Sequence, residues 1–128
     1  MTELDISARV IDFLAESIDS VPQLEALLLL WREPNKWWGV EELGARLYVS
    51  TADADGIVRA LCTRRLVTSE GQPPLYRYST DWDQSGTLLP EVYEAYRHNL
   101  VRVTTFIHSR ASSAVRAFAR AFEMKKDR

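Results

Sequence analysis

The sequence predicts a mainly α fold with one small β-hairpin, and three features of its 128 residues point there. Apolar residues recur three and four apart in several successive segments, which is the period of helices that bury one face. Two short runs, Leu66, Val67, Thr68 and Leu75 through Ser79, are joined by Gly71-Gln72-Pro73-Pro74, a turn whose prolines interrupt regular pairing. Behind that hairpin, Tyr93, Tyr96, Leu100, Val103 and Ile107 repeat at three and four, so one long helix with a continuous apolar stripe is expected from near Leu88 or Pro90.

Taken in order, Asp5 is positioned to cap a first helix running toward Ser17, with Ile6, Val10, Phe13, Leu14 and Ile18 along one side and acidic residues opposite. Ser20 opens a second helix. Pro22 falls in its first turn and Gln23 stands three residues after Ser20, the spacing of a capping box. Leu24, Leu27, Leu28, Leu30 and Trp31 make it the central core helix, and Pro34 stops it. Trp37, Trp38 and Gly39 read as a brief extended segment in which one indole closes the core beneath the hairpin and the other lies at its edge. A short helix from Val40 to Tyr48 turns Leu43 and Leu47 inward. Ser50 or Thr51 starts the next, through about Arg65, with Ala54, Ile57 or Val58, Leu61 and Cys62 as its inner stripe. After a break around Ser109 to Ser112, Val115, Phe118 and Phe122 continue the helical spacing in a last segment.

At this length, with 46% hydrophobic residues, the chain suffices for one domain, 1–128, with a real core. Its net charge of −2 gives no general attraction to nucleic acid. The distribution is uneven. Residues 1–20 hold one basic and five acidic side chains, residues 21–80 are balanced at seven each, and residues 91–128 hold eight basic and four acidic. Cys62 is the single cysteine, which rules out an intrachain disulfide and reads as a packed thiol. The opening, with Glu3 and Asp5, lacks a secretory pattern, and the longest apolar run, Ala26 to Trp31, is too short for a membrane span; a cytoplasmic location is the expectation.

The stretch 20–80 resembles the winged-helix superfamily, and within it the bacterial regulators of the MarR type. The resemblance rests on the leucine-rich helix, on Val40-Glu41-Glu42-Leu43 through Leu47, and on Ser50 followed by a helix through Leu61. It rests also on Arg64-Arg65-Leu66-Val67 entering the first strand and Tyr76-Arg77-Tyr78-Ser79 returning. It implies a winged helix-turn-helix core at 20–80, with added N- and C-terminal helices at 1–19 and 88–128 for packing or dimerisation. The helix before the hairpin would then be the recognition helix, whose start enters the major groove. Thr51, Asp55, Arg59 and Thr63 face away from its inner stripe. Arg59 can address guanine and Asp55 the cytosine amino group, while Arg64, Arg65 and Arg77, with Arg46, are positioned for phosphates. The chain departs from the pattern in two places: Gln72, Pro73 and Pro74 leave the hairpin tip uncharged, and Asp53 and Asp55 put carboxylates where DNA is strongly negative.

Two readings of that face stay open, a homodimeric DNA-binding regulator and a protein-interaction or adaptor module. The amphipathic surplus assigns dimerisation to Tyr93, Tyr96, Leu100, Val103 and Ile107 with Phe118 and Phe122, so the implied partners are a second copy of the chain and either DNA or another protein. Nothing points to catalysis, a metal or a cofactor. His98 and His108 are too far apart on a helix to share an ion, one cysteine builds no thiolate cluster, Asp53 and Asp55 form no compact acid pair, and no glycine-rich phosphate loop is present.

Overall fold

A computed structural model of the chain describes residues 6–83 and 85–109. Its elements run α1 (Ala8–Ser17), α2 (Val21–Arg32), α3 (Val40–Leu47), α4 (Thr51–Thr63), β1 (Val67–Glu70), β2 (Leu75–Tyr78) and α5 (Leu88–His98), after which residues 100–109 are again helical. This is the expected mainly α architecture with an antiparallel hairpin, a winged helix-turn-helix with helices before and behind it.

Local chemistry sets the boundaries. Ser7 caps α1 by accepting the Val10 amide at 3.3 Å; Asp5, the expected cap, lies outside the described residues. Ser20 caps α2 through the Gln23 amide, but the Gln23 side chain returns to the Asp19 amide at 3.0 Å and not to Ser20, so the reciprocal arm of the box is displaced by one residue. Ser50 caps α4 by accepting the Asp53 amide at 3.0 Å. The β1–β2 register pairs Val67 with Tyr78 and Thr68 with Arg77, and strand β1 begins one residue later than the apolar run suggested, because Leu66 is spent turning into it.

Trp38 is the third member of this small sheet. Its amide donates to the Tyr76 carbonyl at 2.7 Å and its carbonyl accepts from the Tyr76 amide at 2.8 Å, while its ring is wholly buried. The indole N–H finds no partner there, which offsets part of the hydrophobic gain by about 1–3 kcal/mol. Around it, α2 contributes Leu24, Ala26, Leu27, Leu28 and Leu30 to one cluster that also takes Val10, Phe13 and Leu14 from α1, Ala54, Val58 and Leu61 from α4, and Leu89 and Val92 from α5. Trp82, in the loop behind the hairpin, stacks on Phe13 at 5.4 Å and meets Tyr78 edge-on at 6.2 Å, so this polar-looking loop is pinned by aromatic contact. Asp83 then supplies a cap from outside α5, accepting from the Leu88 amide at 3.1 Å.

The single long C-terminal helix expected from the stripe is corrected. Asn99 leaves the helical region at φ −132°, ψ 46°, dividing α5 from residues 100–109. The stripe divides with it: Val103 and Ile107 join the buried cluster, whereas Leu100 is 49% exposed. The last expected segment, with Phe118 and Phe122, lies outside the described residues.

Candidate nucleic-acid interface

Helix α4 is held on its inner side by Ala54, Val58 and Leu61, all buried against the helices before it and the hairpin. Its approach is fixed by a tight turn. Tyr48 closes α3 in the left-handed region at φ 60°, and the Val49 amide donates to the Gly44 carbonyl at 2.9 Å. A Cβ on Gly44 would stand 2.9 Å from the Val49 carbonyl oxygen, so the turn folds this closely only because residue 44 has no side chain.

The opposite side of α4 is open. Thr51, Ala52, Asp53, Gly56, Arg59 and Thr63 are all exposed, and a Cβ on Gly56 would meet nothing within 4 Å. The neighbouring helices α1 and α5 pack against each other behind the core, where Arg9 donates to Thr87 at 3.1 Å and pairs with Glu91 at 3.5 Å, and they leave this side clear.

The charged candidates sort into distinct roles. Arg59 places Nε 3.1 Å from the Asp55 carboxylate one turn earlier, so the pair is neutral in sum yet keeps Arg59 on the outer face. The Thr63 hydroxyl donates to the Arg59 carbonyl at 3.1 Å and is occupied by its own helix. Arg64 is turned toward the α1–α2 junction, donating to the Asp19 carboxylate at 2.7 Å and the Glu16 carbonyl at 2.8 Å, so this partly exposed side chain ties the end of α4 to that junction. Arg65 is exposed at φ 64°. Arg77 lies over the Trp37 ring at 4.4 Å on the outer hairpin face, and Lys36 and Arg46 flank the Trp38 ring at 4.1 and 5.3 Å. Of the indole pair, Trp38 is therefore the inner ring and Trp37 the edge ring.

The dimerisation candidates do not form one face. Tyr93 packs on Trp31 at 5.5 Å with Arg32 over it at 5.4 Å, and the Tyr96 hydroxyl donates to Glu25 at 2.6 Å, so both join α5 to α2. Burial, reinforced by the Glu25 carboxylate, pushes the Tyr96 phenol well above its ordinary range. A groove of about 320 Å³ runs beside them, lined by Leu28, Leu29, Leu47, Arg46 and Tyr48 among others. Exposed apolar surface on the helix after Asn99 is concentrated at Leu100 and Val101, 49% and 74% exposed.

Sequence reasoning gave Tyr48 no role beyond ending the short helix, yet it stands 95% exposed, because helical spacing does not tell where a residue in a left-handed cap points. It missed the pairing of Arg64 with Asp19 because Asp19 is 45 residues away and no local spacing connects them. Cys62 is half-buried, and desolvation raises its thiol pKa, as a packing residue requires. Among the described residues no helix is long and apolar enough to cross a membrane.

No protein-family model matches the chain, and no curated protein does. Among solved structures it is similar to that of a MarR family protein from Bacillus stearothermophilus, at 16% sequence identity and a TM-score of 0.48, over 93% of this chain and 81% of that one. The class is set by the elements themselves: α2, α3 and α4 with the β1–β2 hairpin form a winged helix-turn-helix.

Proposed function

We infer that the chain is a winged-helix DNA-binding transcriptional regulator that acts as a homodimer, organised as a winged core at 20–80 with flanking helices. The observation that carries the reading is the exposed outer side of α4, where Arg59 projects beside small residues and Ala52, Asp53 and Gly56 border an open groove with the start of α2. A helix presented in this way fits the major groove, and the hairpin beside it brings Arg77 on Trp37 toward the flanking backbone. Arg65 adds a second exposed cation at the end of the same helix. Leu100 and Val101 supply apolar surface for a second copy, and a two-fold dimer would set paired recognition helices about 34 Å apart.

Capture from native lysate, with and without nuclease, tests the reading. A restricted set of DNA fragments should be retained on the full chain and lost with nuclease. A protein-binding role for the same face is the second reading, favoured by the exposure of Tyr48 and by Asp53 and Asp55 offsetting Arg59. It predicts a specific protein retained equally in both samples and no retained DNA.

A further inference from the structure

We propose that the groove between α2, α3 and α5 docks an acidic segment of a partner protein, which seats an apolar side chain among the groove's leucines and sets its carboxylates on Arg32 and Arg46. No residue of α4 lines that groove, so the inference stands apart from the DNA-binding reading above.

Three helices build the lining. Leu28 and Leu29 of α2, Leu47 of α3 and the rings of Tyr93 and Tyr96 of α5 make it mainly apolar, and its volume of about 320 Å³ has space for a large side chain or two. Tyr48 borders the same groove and is 95% exposed, so its ring makes almost no contact within the subunit. It also holds the left-handed conformation that ends α3, at φ 60°, which glycine adopts with less strain. An aromatic ring left in water beside an apolar groove is surface that a bound partner covers, and buried aromatic and arginine side chains are where binding energy concentrates.

Charge selects the partner. Arg32 lies over the Tyr93 ring at 5.4 Å and Arg46 over the Trp38 ring at 5.3 Å, and among the described residues neither has an ion-pair partner. The charges around them are already matched. Glu25, the carboxylate that lines the groove, accepts from the Tyr96 hydroxyl at 2.6 Å, Lys36 pairs with Glu42 at 2.6 Å, and Arg97, on Tyr93 at 5.6 Å, pairs with Glu94 at 3.5 Å. A guanidinium resting on a ring loses little further freedom on binding and keeps its N–H groups for a carboxylate, which it can grip through two hydrogen bonds. A nucleic-acid backbone matches the two cations as well but leaves the leucines and tyrosines unfilled. The lining therefore favours a protein segment in which leucine or an aromatic residue stands between aspartates or glutamates.

Selection of randomised short peptides, displayed on phage, against the full chain tests this. The wild type should enrich peptides with Asp or Glu flanking Leu, Phe or Trp, and the enriched peptide, synthesised with a fluorescent label, should bind saturably by anisotropy. Arg32→Gln combined with Arg46→Gln should weaken that binding tenfold or more, and Tyr48→Ala several-fold. All three side chains are exposed, so thermal unfolding should stay near that of the wild type. Replacing the peptide's acidic residues with lysine should abolish binding, while Arg59→Ala, on α4, should leave it unchanged. No enriched peptide, enrichment without acidic residues, or an affinity that the double arginine variant retains overturns the assignment. So does sedimentation, without peptide, of the double variant as a monomer where the wild type is a dimer, since the groove then belongs to a second copy. None of these outcomes decides whether α4 binds DNA, which the lysate capture reads separately.

Discussion

Trp38 shows how a single residue links sequence, sheet and core. Its backbone extends the hairpin through both hydrogen bonds to Tyr76 while its ring fills the core. Trp38→Ala should lower the unfolding free energy by about 3–5 kcal/mol, read by urea denaturation, since it empties a large buried volume that the paired backbone holds open. Tyr78 offers a second residue-scale test through pH. Burial, with the nearby Asp83 carboxylate adding to it, pushes its phenol from 10 up to about 12. Between those values the unfolded chain releases the proton and the folded chain keeps it, so the unfolded state binds fewer protons and stability falls as pH rises. The contribution is complete below pH 10 and lost as pH passes through about 12, a decline of up to about 3 kcal/mol. Tyr78→Phe should flatten that part of the stability profile; an unchanged slope would place the alkaline loss elsewhere.

At the scale of elements, the two helical glycines should respond oppositely to one substitution. Gly44→Ala forces a Cβ against the Val49 carbonyl and should destabilise the protein, whereas Gly56→Ala enters open space and should stabilise it by up to about 1 kcal/mol in thermal unfolding. Helix identity was legible in the sequence because it depends on near neighbours: the period of Leu24, Leu27, Leu28 and Leu30 and the serines at positions 20 and 50 are local signals. The role of Arg64 was not. Its partners come from the α1–α2 junction, so a residue that reads as one of two adjacent surface arginines becomes a tertiary tie. Asn99 likewise interrupts an apolar stripe whose spacing carries no sign of the break, since three-and-four periodicity records which residues are apolar and not whether the backbone between them stays helical. Asp83 and Tyr48 illustrate the same limit, one capping α5 from beyond its first turn and the other left on the outside by the geometry of a turn.

For the whole molecule, the distribution of apolar and charged surface divides the chain into a rear where α1 meets α5 and a front where α4 and the hairpin are open. Leu100 and Val101 are exposed apolar residues on the helix after Asn99, and under the proposed homodimer they are the surface a second copy would cover. A Leu100→Glu and Val101→Glu double variant should sediment as a monomer at tens of micromolar protein while the wild type sediments as a dimer, with the fold retained because both side chains are substantially exposed within the subunit. At the front, the offset of Arg59 by Asp55 and the pairing of Arg64 with Asp19 leave few cations for phosphates, so DNA affinity should be modest and its salt dependence shallow, with a slope reflecting few neutralised phosphates.

Whether the outer side of α4 meets DNA is read by fluorescence anisotropy of duplex DNA, enriched on the full chain, titrated with that chain across a series of salt concentrations. A DNA-binding α4 should give a saturable complex at low salt that weakens as salt rises and weakens further with Arg59→Ala. A wild-type titration that never saturates, even at the lowest salt, would contradict it.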